Sequence, residues 1–144
     1  MEALLDPKTY PHKPPAMYDK TFRQTDELLA RDGSTMIDAT FITQSLRRRA
    51  AAIAAKHNKT LVVTQTQRPR WLAIAHMLRR TQQDYESNAL TEQAYVNNER
   101  RFEQVDLSDL KPLHPDLRIL HFTVDTREDS PIGCYVISTE KRKS

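Results

Sequence analysis

Only two of the 144 residues in this chain are glycine, Gly33 and Gly133. Glycine enters left-handed backbone without a steric cost and lets a ligand approach the main chain. With so few of them, glycine-rich phosphate loops and nucleophile elbows have nowhere to form, since each needs backbone without Cβ at several positions. The chemistries hosted by such loops are therefore set aside.

The length suits one domain with a real core, and 38% hydrophobic and 28% charged residues suit a globular chain. A lone cysteine, Cys134, cannot form an internal disulfide, which points to a reducing, cytoplasmic setting. No apolar run approaches the roughly 20 residues of a membrane helix, and the N-terminus lacks a signal-peptide core, so no membrane partner is expected.

Residues 1–17 carry a proline-rich run, PKTYPHKPP, and read as an extended arm. Residues 18–139 read as a single globular domain, and 140–144 as a basic tail. Within the domain, Asp19 to Arg31 suggests a short helix stopped by Gly33. Ala39 to His57 is a stronger one, with Phe41, Leu46, Ala50, Ile53 and Ala54 on one side and Arg48 opposite. Thr60 to Gln65 is β-branched and strand-like. Pro69 suits the first turn of a helix running to Tyr85, with Trp71, Ile74, Ala75, Leu78 and Tyr85 inward. Thr91 can cap a helix to Val105, and Lys111 to Pro115 reads as a connection. Leu117 to Asp125 and Cys134 to Thr139 suggest two strands joined by the loop TREDSPIG. The fold class is α+β: a helix-rich single domain with a small antiparallel sheet. Without its first helix, the element order is that of a winged helix-turn-helix, in which the last helix reads DNA and the hairpin loop is the wing.

Charge is segregated along this order. Residues 39–83 contain no Asp or Glu but nine Lys or Arg, although the net charge is only +3. Such concentration favours phosphate or an acidic protein as partner, and the acidic remainder would also complement the window in a homodimer. The strand-to-helix junction places Arg68 and Arg70 around Pro69, where a helix N-terminus adds its own positive dipole. Arg47, Arg48 and Arg49 span almost one helical turn, with Arg48 exposed and Arg47 flanking the apolar side.

The sharpest local pattern lies in the helix from Thr91. Tyr95, Phe102 and Val105 fall on one side, while Gln93, Asn97, Arg100, Arg101 and Gln104 fall on the other. Arg reads guanine, and Asn or Gln reads adenine, through paired hydrogen bonds in the major groove. Glu92, Glu99 and Glu103 run along the flank of this stripe and would oppose phosphate. Arg127, in the loop TREDSPIG, has the position of a wing residue.

Catalytic readings find little support. The five histidines show no helical i,i+4 pairing and no cysteine cluster, so neither a metal site nor a cofactor is expected. The sequence therefore suggests a non-enzymatic regulator or accessory factor that binds double-stranded DNA, as a homodimer. Arg47, Arg48, Arg68, Arg70 and Arg127 would contact the backbone, and Gln93, Asn97, Arg100 and Arg101 the bases. The alternative is a protein-interaction module docking its basic surface on an acidic partner.

Overall fold

The computed structural model describes residues 14–80, 92–127 and 135–142. Eight elements follow one another there: α1 (Pro14–Ala30), α2 (Gln44–Lys56), β1 (Leu61–Gln67), α3 (Arg70–Arg80), α4 (Glu92–Arg101), α5 (Leu107–Leu113), β2 (Ile119–Asp125) and β3 (Tyr135–Arg142). The result is a small α+β domain, its three strands forming one mixed sheet. The arm over 1–13, the expected end of the helix from Pro69 at Tyr85, the expected cap Thr91, the loop 128–134 with Gly133 and Cys134, and residues 143–144 lie outside the described residues.

Strand order is β1-β2-β3, with β2 in the middle. β1 runs parallel to β2, pairing Leu61 with Ile119 and Gln67 with Asp125. β3 runs antiparallel to β2, with a register shift between Thr123 and Val124. The sheet is thus not antiparallel throughout, as the strand pattern suggested; only the β2–β3 pair is. Alternating burial shows which face of a strand is covered, but carries no information on strand direction.

The core forms where α2 and α5 cover one face of this sheet. Ala51, Ala54, Leu107, Leu110, Leu117 and Ile119 make one buried cluster, and Ala55, Leu61 and Val105 pack against it. Alanines on the inward side of α2 let it sit close to α5. Leu107, Leu110 and Ile119 are the largest side chains buried completely, each contributing about 1.5–3 kcal/mol by removal from water. The opposite face, with Val62, Leu120, Phe122 and Val124, has a more open aspect, and Val62 and Val136 are exposed.

Several elements begin or end elsewhere than the sequence suggests. α1 starts at Pro14, so residues 14–17 are helical rather than part of an extended arm; proline at a helix start has no N–H bond to lose. α2 starts at Gln44, because Ala39 to Thr43 is a loop bringing Phe41 against Tyr18 and Phe22, with ring centroids 5.8 and 6.0 Å away. Lys111 to Pro115 is not simply a connection, since α5 runs through Pro112. Asp106 caps α5 by accepting from the N–H groups of Ser108 and Asp109, and Leu107 and Leu110 anchor it in the core. Glu140, Lys141 and Arg142 belong to β3 rather than to a tail.

Scarcity of glycine has a visible consequence at two helix ends. Asp32 (φ 59°) and Asn58 (φ 52°) take the left-handed conformation that glycine usually supplies. Gly33 has a different role: a Cβ there would lie 2.8 Å from the carbonyl oxygen of Leu28, which accepts the Gly33 N–H.

Candidate nucleic-acid interface

The acid-free stretch is largely neutralised by its own neighbours. Arg48 makes a bidentate pair with Asp109 of α5 at 2.7 and 2.8 Å. Arg49 reaches Asp19 of α1 at 2.6 Å and lies over the Phe22 ring. Lys56 and His57 converge on Asp26 at 2.8 and 2.6 Å, and Lys59 pairs with Asp32. These contacts hold three carboxyls below the ordinary carboxylate range. Lys56 and then His57 act by hydrogen bonding on Asp26, Arg48 and then Gln44 on Asp109, and Lys59 on Asp32.

Arg47 is withdrawn altogether. Only 2% of it is exposed, so it cannot meet a phosphate as the sequence pattern suggested. Its guanidinium donates to Gln44 Oε1 (2.9 Å), to the carbonyl of Gln104 (3.2 Å) and to the carbonyl of Phe41 (2.8 Å), and lies 5.1 Å from the Phe102 ring centroid. Gln44 extends this network to the Asp106 carbonyl and to Asp109, while Glu103 accepts the Gln44 N–H at the start of α2. A planar fork with five donors is the side chain that can satisfy three acceptors approaching from different segments. Arg47 thus ties α2 to the link between α4 and α5.

Other cations remain at the surface. On α4, Gln93, Asn97, Arg100 and Arg101 are exposed, while Tyr95 and Asn98, and Phe102 just past its end, are half-buried. Gln93 donates to Asn97 Oδ1 at 2.9 Å, one helical turn along. Arg100 and Arg101 have no ion-pair partner among the described residues. Two of the flanking carboxylates are engaged: Glu103 with Gln44, and Glu99 loosely with Arg70 of α3 at 3.7 Å. This last contact sets the first turn of α3 beside the end of α4.

The remaining sequence candidates gather at the carboxyl ends of the two parallel strands. A shallow crevice of about 140 Å³ is lined by Gln67, Arg68, Pro69, Asp125 and Arg127. Beside it Thr126 donates its N–H to the Gln67 carbonyl and its hydroxyl oxygen accepts from Arg68 Nε at 3.2 Å. Arg127 pairs with Asp125 at 2.9 Å and stays 68% exposed. A larger cleft, about 260 Å³, lies between the end of α2 and the α5–β2 connection. There Lys59 and Arg118 are offset by Asp116 and by the Asp32 that holds Lys59.

Two residues of α3 lie elsewhere than their spacing suggests. Trp71 and Leu78, expected inward, are 71% and 52% exposed. Met77 is the buried residue among the described side chains of α3, and at about 100° per residue Trp71 and Leu78 both lie some 100–120° around the helix from it. An apolar spacing identifies a stripe but not which part of it a neighbour will cover.

Among the described residues, no three His, Cys, Asp or Glu side chains are grouped to hold a metal, and no helix is long and apolar enough to cross a membrane. Comparison with known protein families, characterised proteins and solved structures finds no match to this chain.

Proposed function

We propose that this protein binds double-stranded DNA as a small non-enzymatic regulator or accessory factor, with α4 as its reading element. One observation carries the reading. α4 presents two arginines with no ion-pair partner among the described residues and two amides together on an exposed side, with two adjacent carboxylates engaged elsewhere. These are the donor and acceptor types that meet base edges and phosphates in a major groove. Arg70, Arg68 and Arg127, at the neighbouring strand ends, are the backbone contacts of this proposal, and Arg47 drops out of it. A homodimer would double the contact on DNA.

The test is fluorescence anisotropy with a labelled duplex of about 30 bp, titrated between about 50 and 250 mM salt. Micromolar binding that weakens with salt is expected. The R100A/R101A pair should lose affinity at least about tenfold with little change of salt slope, whereas the R70A/R127A pair should flatten the log–log salt slope by about 2. R48A, whose partner is Asp109, should change either quantity far less. Absence of binding at about 50 mM salt overturns the proposal.

A second reading, a protein-interaction module, draws on the outer face of the sheet, where Val62, Val136 and Ile137 are about half exposed at 49%, 58% and 52%. Its basic-surface form has less to draw on, because α2 meets its acidic partners within the chain.

A further inference from the structure

Trp71 is the only tryptophan in the chain, and with Met36 it is the most exposed large apolar side chain among the described residues. Its setting is cationic. Arg70 precedes it on α3, with 54% of the side chain exposed, and Arg68 and Arg127 line the crevice that Pro69 helps to wall, two residues before the indole. The two nearby carboxylates are both engaged by arginine: Asp125 by Arg127, and Glu99 by Arg70. The first turn of α3 contains no acid.

This combination decides between two uses of an exposed indole. An aromatic anchor at a protein interface is surrounded by near-neutral contacts that exclude water. An indole that follows Arg70 in sequence, two residues on from a crevice lined by Arg68 and Arg127, instead matches the surface that binds unpaired nucleic acid, where cations follow the backbone and bases stack on aromatic faces. In a continuous duplex the base faces are hidden in the stack, so an indole at the rim has nothing to lie on. An unpaired base offers both of its faces.

We infer that Trp71 is a base-stacking platform, and that the preferred ligand is DNA in which a single-stranded stretch adjoins a duplex. The inference rests on the DNA-binding reading above. α4 takes the duplex, the crevice arginines take the backbone where the strands part, and the first unpaired base lies on Trp71.

Because Trp71 is unique, its intrinsic fluorescence reports stacking directly. The wild-type protein is titrated with a blunt duplex of about 30 bp and with the same duplex carrying a single-stranded extension of about 8 nucleotides. The extended DNA should bind about tenfold more tightly and quench the indole. W71A should bind both DNAs with the affinity that wild type shows for the blunt one, and W71F should keep part of the preference. L78A, truncated further along the same side of α3, should keep all of it. Circular dichroism checks that each variant is folded. Binding of both DNAs with equal affinity and unchanged indole emission overturns the inference and leaves the duplex reading standing. Failure to bind either DNA at about 50 mM salt overturns both.

Discussion

Arg47 and Arg48 are adjacent in sequence and identical in chemistry, yet they should respond to truncation in opposite ways. Arg47→Ala removes three hydrogen bonds, to Gln44 Oε1 and to the carbonyls of Gln104 and Phe41, and a side chain that is 2% exposed. At about 1 kcal/mol net for each bond, plus about 1 kcal/mol for the packed stem and the Phe102 contact, the loss comes to about 4 kcal/mol. That is a large share of the about 5–15 kcal/mol that holds a domain of this kind together. Arg48→Ala removes an ion pair whose side chains are 50% and 25% exposed, and should leave the unfolding midpoint close to wild type. Urea denaturation followed by far-UV circular dichroism measures both. Arg47→Lys supplies an intermediate point, since one ammonium cannot span three acceptors, and it covers the case in which R47A fails to fold. If R47A and R47K both unfold within about 1 kcal/mol of wild type, the network does not carry the link between α2 and the α4–α5 segment.

Stability should also depend on pH in two separate steps. Burial pushes His121 below its ordinary value of 6.5, against the attraction of Glu140 and with the help of Arg47. The unfolded chain then takes up that proton first, so stability is lost as pH falls from about 6.5 towards the lower folded value. Asp26, Asp109 and Asp32 have depressed values, so their contribution is present above about pH 4 and is lost as pH falls below it. His121→Gln should remove the upper step and keep the lower; a wild-type midpoint higher at pH 5.5 than at 7.5 would contradict the assignment. At the end of α2, Asn58→Ala should cost about 1 kcal/mol through its left-handed backbone, while Asn58→Gly should be neutral or slightly stabilising, both read from thermal melts.

Features set by local periodicity were legible in the sequence. The polar side of α4 and the strand character of TLVVTQ and LRILHFTVD follow from residue spacing; on α2 the spacing picks out Ala54 but not Ala51, which is buried beside it. Features decided by distant segments were not. Nothing in three consecutive arginines marks the first of them, Arg47, as the one to be buried; the acceptors it meets lie near residues 41 and 104. Pro112 read as a break, yet in a seven-residue helix it costs little when Leu107 and Leu110 already fix the turn. Asp106 was the signal that could have revealed α5, being an N-cap residue directly before an apolar position. For Trp71 no such signal exists, because burial there depends on how α3 rolls against its neighbours.

Parallel pairing of β1 with β2 sets the order in which this sheet can be assembled. The β2–β3 pair joins segments close in sequence, whereas β1 meets β2 only after the entire connection 68–118 has been brought round. Loop-closure entropy must be overcome before that pairing contributes anything, which makes β1 the natural last strand to join. Until it does, the β1 side of β2 is an unpaired edge between Ile119 and Asp125. A break anywhere in 68–118 would turn closure of the sheet from an event within one molecule into an encounter between two.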